Sequence, residues 1–184
     1  TIMDDQDVMI ERVNPDNPSQ YLTPEGWKEF RGRDSILNIA AAPPVTLRLR
    51  WTDNGPVLPG SYYGLDTVTP QGHVASVSWT ARSPRDTSYS AALALMRSTT
   101  IEEALVAGED FIAPAQNLTI ATADRIALQT VGAMPRRNAQ HQSQGRLPSP
   151  GWRMENRWQG RAPYAQNPSF VDPLGGILGN TNNK

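Results

Sequence analysis

The sequence has no cysteine, which excludes disulfides, thiolate metal sites and a cysteine nucleophile, although it does not fix a compartment. It has no excess of charge of either sign. Seventeen Lys and Arg stand against 18 Asp and Glu, a formal net charge of -1, so the electrostatic footprint of a nucleic-acid or anionic-membrane binder is missing. No apolar run reaches the length of a membrane span, and the start Thr1-Ile2-Met3-Asp4-Asp5 has neither the basic nor the apolar region of a signal peptide. The chain therefore reads as mature or as a piece of something longer. Also absent are a Gly-x-Ser-x-Gly elbow, a Walker loop, Gly-x-Gly-x-x-Gly and His-Glu-x-x-His. Only two histidines occur, His73 and His141, in unrelated contexts, so a Ser-His-Asp triad has no support and both read as structural.

What is present is an ordinary globular composition, 38% hydrophobic and 19% charged over 184 residues, enough for one domain with its own core. Sixteen Pro and 14 Gly predict short elements and many turns. Asp7 to Val13 reads as a strand running into the turn cluster Asn14-Pro15-Asp16-Asn17-Pro18. Val45, Leu47, Leu49 and Trp51 alternate with polar residues, the pattern of a half-buried strand that ends at Asn54-Gly55-Pro56. His73 to Trp79 alternates again, with Ala75, Val77 and Trp79 on one side. Ser88 to Met96 suits a short helix, and Thr100-Ile101-Glu102-Glu103 is a capping box opening a second through Phe111. Leu118 to Ala123 and Ile126 to Val131 predict a hairpin around Asp124-Arg125. From Met134 onward, recurrent prolines forbid long elements, and Trp152, Trp158, Tyr164 and Phe170 are expected to pack a loop-rich region. The reading is α+β, a single fragment with strands and a helical pair over 1–133 and a Pro-rich region over 134–184.

Two polar segments carry more than one reading. Asp4-Asp5-Gln6-Asp7 sets three carboxylates in four residues, which suits calcium or simply a solvated acidic turn. Asn180-Thr181-Asn182-Asn183 passes on its own for a polar terminus. The Asn117-Leu118-Thr119 glycosylation pattern is discounted, because it is common by chance and abuts a predicted strand.

Taken together and in order, several segments resemble the β chain of the penicillin acylase family, which includes acyl-homoserine lactone and cephalosporin acylases. Asp4-Asp5-Gln6-Asp7-Val8 with Ile10-Glu11-Arg12 resembles its acidic calcium segment and following strand. Arg50-Trp51-Thr52-Asp53-Asn54-Gly55-Pro56-Val57 resembles its Arg-x-x-x-His-Gly-Pro-Val run, with Asn54 where His is usual. Trp79-Thr80-Ala81 and Asp86-Thr87-Ser88 resemble the lead into its helical pair. Ala113 to Leu118 with Ala123-Asp124 resembles Pro-x-Gln-Asn-Phe-x-x-Ala-Asp, and Gly132 to Arg137 resembles Gly-x-x-Pro-x-Arg. Gly145 to Gly151, Trp158-Gln159-Gly160 and Asn167-Pro168 are similar to the landmarks before its Asn-Asn signature. The resemblance covers nearly the whole chain, and its weight lies in the collinearity of these motifs.

The resemblance implies part of an αββα N-terminal-nucleophile hydrolase, with an antiparallel sheet, that cleaves the linear amide of an N-acyl compound. In that family self-processing exposes a β-chain N-terminal Ser, whose own α-amino group is its base. The Ser is not among these residues, so the isolated chain is expected to be inactive. Thr1 is a nucleophile type when terminal, but its segment aligns downstream of the family's Ser. By the same alignment Asn182 matches the side-chain donor of the oxyanion hole, and Ile2 and Leu118 match acyl-pocket positions. Asp4 and Asp7 match calcium carboxylates, and Gln6 and Gly145 match carbonyl donors to that ion, which clamps chain segments. The implied partners are an α chain, the remaining β-chain segments and a small N-acyl substrate, and the implied location is periplasmic or secreted. Two other readings stay open, a non-catalytic remnant with the acylase scaffold and an unrelated binding domain.

Overall fold

The computed structural model describes residues 4–180. Along the chain come β1 (Gln6–Arg12), β2 (Gln20–Thr23), β3 (Gly26–Glu29), β4 (Arg31–Leu37), β5 (Val45–Trp51), β6 (Val57–Leu58) and β7 (His73–Trp79). These are followed by helices α1 (Ser88–Leu95) and α2 (Ile101–Glu109), the hairpin of β8 (Gln116–Ala121) and β9 (Ile126–Val131), and the short strands β10 (Ser149–Pro150) and β11 (Ser169–Val171). The architecture is α+β, as the sequence predicts. The division expected from composition, at 133/134, is one of texture. By contacts the chain separates into one unit of residues 1–5, 79–136 and 159–184 and a second of residues 6–78 and 137–158.

In the second unit a four-stranded sheet runs in the order β10, β1, β7, β6. Strand β1 forms because Val8, Ile10 and Arg12 alternate with Asp7, Met9 and Glu11. Asp7, Met9 and Glu11 are all buried, Met9 at 1% exposure, and on the other face Ile10 is buried at 8% and Val8 half-buried, while Arg12 is exposed, so the middle of the strand is covered on both sides. The parallel partner β10 is only two residues long, pairing Ser149 with Met9 and Pro150 with Ile10. Strand β7 also buries both faces, with Ala75 and Val77 as the alternation predicts and Ser76 and Ser78 as well, whereas Trp79, expected on the same side as Ala75 and Val77, is 38% exposed at the strand's end. The β2–β3 hairpin buries Tyr21 at 2% exposure, its ring 4.9 Å from that of Phe30. Desolvation pushes the Tyr21 phenol up to about 12, and its oxygen accepts from the Asp53 backbone N–H at 2.9 Å.

Strand β5 is where the alternation predicts it, paired along its whole length with β4. Its expected half-buried face is a partial match. Leu49 and Trp51 are half-buried, but Val45 and Leu47 are 43% and 42% exposed, because β4 satisfies their backbone without laying a second layer over their side chains.

In the first unit both helices begin as the sequence predicts. Thr100 caps α2 by accepting from the Glu103 N–H at 3.1 Å. The reciprocal bond lands one residue early, since Glu103 accepts from the Thr99 N–H at 2.7 Å and the Thr99 hydroxyl at 2.9 Å. Helix α2 lies against β9 through Gly108. A Cβ there would stand 2.6 Å from the Tyr164 hydroxyl and 2.9 Å from Val131 Cγ1, so only glycine permits this approach. Ile101 (1% exposed), Ala104 and Val131 are buried, and Ile112, Ala113 and Ala133 form a buried apolar cluster in the same unit. The sheet runs β11, β9, β8, all antiparallel, with β8 and β9 joined where the Thr122 N–H donates to the Arg125 carbonyl at 2.9 Å. The Pro-rich stretch is mostly loop, as expected. No described helix is long and apolar enough to cross a membrane.

Candidate functional site

Two polar assemblies carry the sequence landmarks, one in each unit. In the second unit, Asp7 on β1 is 2% exposed and its carboxylate is fully occupied. Arg137 donates from Nη2 to Oδ1 at 2.6 Å and from Nε to Oδ2 at 2.9 Å, and Trp158 Nε1–H donates to Oδ2 at 2.6 Å. The guanidinium is itself only 7% exposed, a bidentate, charge-assisted pair removed from water. His141 lies beside it, Nε2 at 3.7 Å from Asp7 Oδ2, while Nδ1 accepts from the N–H groups of Ser143 and Gln144 at 3.2 and 3.0 Å. Those two bonds leave the ring proton for Nε2 and orient the imidazole toward Asp7. Gly145 closes the cluster at φ +80°, where a Cβ would stand 2.6 Å from Asp7 Oδ1 and 2.5 Å from Arg137 Nη2. Asp7 and Gly145, 138 residues apart in sequence, are thus brought together.

A few residues along β1, Glu11 is fully buried. Its Oε1 accepts from Ser76 Oγ at 2.7 Å, Thr52 Oγ1 at 2.8 Å and Asn54 Nδ2 at 2.9 Å, while Oε2 is buried without a partner. Asn54 also donates to the Gly151 carbonyl at 3.3 Å. The Asn at the position where the resembling motif carries His therefore ties the 52–55 turn to β1 and to the loop before Trp152.

The calcium expectation meets a positive charge here. Among the described residues no group of three or more His, Asp or Glu side chains is arranged to hold a metal ion. The Asp7 oxygens face the Arg137 guanidinium, which would repel a divalent cation. As they stand these residues do not fit calcium. Gln6 is exposed at the start of β1. Asp4 is exposed and belongs to the other unit, with Asp5, whose Oδ2 accepts from Trp79 Nε1 at 3.4 Å.

In the first unit the assembly is centred on β8. Successive strand residues face opposite sides. Val131 meets α2, and the register pairs Leu118 with Gln129 and Gln116 with Val131, so Leu118 points toward the helices. There, with Ile120, Leu95 and Ala104, it lines a cavity of about 240 Å3. Asn117 faces the other way. Its Oδ1 accepts from Thr130 Oγ1 at 3.0 Å, and its Nδ2 donates to Asn180 Oδ1 at 2.8 Å. Asn180 is thereby tied to β8. Asn182 and Ile2 lie outside the described residues.

Sequence reasoning missed the roles of Glu11, Arg137, Trp158 and Asn117. Each lies within a motif that marks the resemblance, but a motif gives position without partner. Of the two histidines, His141 lies beside Asp7, and His73 Nδ1 lies 3.0 Å from the Gln71 carbonyl with its ring 5.7 Å from that of Trp152.

The comparisons agree with one another. The acyl-homoserine lactone acylase QuiP of Pseudomonas fluorescens is 29% identical over 189 residues, covering 98% of this chain, and that of Pseudomonas aeruginosa is 28% identical over 187 residues. The chain spans only about a fifth of these relatives, 21% and 22% of their length. A solved penicillin G acylase from Alcaligenes faecalis superposes with a TM-score of 0.85 at 22% identity, over 99% of this chain and 31% of that one, which shows the fold. An unrelated binding domain is excluded. The penicillin amidase family model matches residues 1–184 from end to end, and the chain belongs to that family.

Proposed function

We propose that this chain is part of an amidase that hydrolyses the linear amide of an N-acyl compound, a penicillin-like amide or an N-acyl-homoserine lactone. The nucleophile would be an N-terminal Ser outside these residues. Attack by Ser on the amide carbonyl makes a tetrahedral oxyanion, and the proton passes to the Ser α-amine and then to the leaving amine. Asn182 would donate its amide N–H to the oxyanion, a neutral donor aimed where negative charge develops. The observation that carries this reading is the match of the penicillin amidase family to residues 1–184, together with an acylase fold over 99% of the chain.

Ile2 and Leu118 are the proposed acyl contacts. An acyl chain reaching Leu118 would enter the cavity of about 240 Å3 beside Ile120 and Ala104, where each well-buried group contributes about 1 to 3 kcal/mol. The α chain and the other β-chain segments would supply the rest of the cleft, in a periplasmic or secreted enzyme that matures by self-processing. Calcium takes no part in this chemistry. A clamp built on Asp4, Asp7 and the carbonyls of Gln6 and Gly145 would need further oxygens from elsewhere and the displacement of Arg137 from Asp7.

The test is hydrolysis of penicillin G and of N-acyl-homoserine lactones by the full-length protein, followed by release of the free amine. Turnover that disappears when the N-terminal Ser is changed to Ala supports the reading, and the isolated 184 residues are expected to be silent. Turnover by the isolated chain, abolished by Thr1→Val, contradicts it.

A further inference from the structure

We propose that a guanidinium, not calcium, clamps β1 to the loop of residues 137–149 in this acylase, with Arg137 taking the fastening role that the resemblance gives to an ion. The clamp is independent of which amide is cleaved.

The disagreement with calcium begins at the oxygens themselves. Asp7 Oδ1 accepts from Arg137 Nη2 at 2.6 Å and from Nε at 3.2 Å, and Oδ2 accepts from Nε at 2.9 Å and from Trp158 Nε1 at 2.6 Å. His141 Nε2 stands a further 3.7 Å from Oδ2. Both oxygens are thus engaged by N–H donors, whereas calcium takes about six to eight oxygens at about 2.3 to 2.6 Å. Beside the guanidinium there is no room for an ion. A Cβ on Gly145 would stand 2.5 Å from Arg137 Nη2 and 2.6 Å from Asp7 Oδ1, so the Gly145 backbone lies directly against the pair. Arg137 cannot give way by losing its proton, since a guanidinium stays charged at any working pH, and its charge repels a divalent cation.

The loop is shaped around this pair. Residues 137–149 leave from Arg137 and return to β1 as β10, where Ser149 pairs with Met9. Between these points Gln144 and Gly145 are both left-handed, at φ +53° and +80°. In that turn the N–H groups of Ser143 and Gln144 point at His141 Nδ1, and Gln144 Nε2 donates to the Asn138 carbonyl at 2.8 Å. Both ends of the loop are therefore fastened to one strand, through Arg137 on Asp7 and Ser149 on Met9. A planar fork making two bonds to one buried carboxylate fixes orientation as well as distance. A calcium ion bridging Asp7 to the Gly145 carbonyl would join the same two segments, which makes the two clamps alternatives.

The experiment uses the full-length acylase, with calcium itself as the probe. The melting temperature is expected to agree within about 1 °C between excess EDTA and millimolar calcium chloride, because a ligand that does not bind the native state adds no stability. In EDTA, Arg137→Gln is expected to melt about 5 °C or more below the wild type. An Arg137→Gln variant that melts with the wild type overturns the proposal, and one that fails to fold agrees with it and leaves the chelator comparison to carry the test. If the wild type keeps a calcium ion through gel filtration and melts lower in EDTA, Asp7→Asn decides where that ion sits. Loss of the ion in Asp7→Asn overturns the proposal, and its retention puts the ion elsewhere and leaves the guanidinium clamp standing. Should Asp7→Asn fail to fold, terbium replaces calcium. Terbium emission abolished by Trp158→Phe, which removes the indole that donates to Asp7, places the ion at that carboxylate and overturns the proposal, whereas emission unchanged by Trp158→Phe supports it.

Discussion

The two units keep their interiors by different means. In the unit of residues 79–136 and 159–184, Ile101, Ala104 and Val131 are buried where α2 meets the hairpin, Ile112 joins an apolar cluster, and most of the buried polar groups, Gln129, Thr130 and Asn167 among them, are uncharged. In the unit of residues 6–78 and 137–158, the sheet carries Asp7, Glu11, Ser76 and Ser149, and the turn after β10 adds Asn156, all at or below 2% exposure. Apolar packing is non-directional and yields gradually to a smaller side chain. A buried polar cluster depends on every partner being present, since a charge left alone keeps its full desolvation penalty. The acylase scaffold thus combines a tolerant half and an exacting one.

That contrast is broken most directly at Arg137. Arg137→Met leaves the Asp7 carboxylate without its counter-charge, with Trp158 and, at 3.7 Å, His141 beside it, and is expected to destabilise by about 3 to 5 kcal/mol. In the other unit, Ile101→Val, at a side chain just as buried, is expected to cost only about 0.5 to 1.5 kcal/mol. Urea unfolding of both variants checks the pair. Equal losses would erase the distinction between the two interiors.

A smaller effect sharpens it. At the surface of the unit of residues 79–136 and 159–184, Arg125 donates to Glu102 at 2.8 Å and to Asp172 at 2.7 Å, joining α2, the hairpin turn and the residue after β11. Hydrogen bonding from Arg125 holds both carboxyls below their ordinary range. A depressed carboxyl contributes stability above its unfolded pKa, and that contribution is lost as pH falls through the lower folded value. The loss is therefore expected at acid pH, below about 4, and should be slight and suppressed by salt because these groups are exposed. Comparing the acid limb of the melting temperature with that of Arg125→Gln, at low and high salt, reads it out.

Legibility in the sequence follows the same division. Helix α2 announces itself through the Thr100 cap, and β7, β8 and β9 through alternation or unbroken apolar runs, since these signals are local. Strands β2 and β3 are four residues each, too short for a period to show. Strand β10 consists of Ser149 and Pro150 and exists only because a parallel partner lies about 140 residues away at Met9 and Ile10. The polar interior is the least legible part, because a buried Asp or Glu has the same letter as a solvated one. Asp7 thus reads as one oxygen donor in an acidic turn, although its counter-charge is Arg137. The Pro-x-Arg landmark located that arginine without revealing its partner. Of the candidate site, the resemblance supplied positions and the structure supplied contacts. Neither periodicity nor spacing points to Asn117, whose meaning depends on Thr130 across the ladder and Asn180 at the far end of the chain.

The proposed oxyanion role of Asn182 is tested most directly by kcat for Asn182→Ala in the full-length protein, measured on a chromogenic acyl amide. Loss of one such donor is expected to lower kcat by about 10²- to 10³-fold with a much smaller change in KM. An Asn182→Ala variant that keeps near-normal kcat would contradict the account and move the donor to Asn180 or Asn183, or away from this segment altogether.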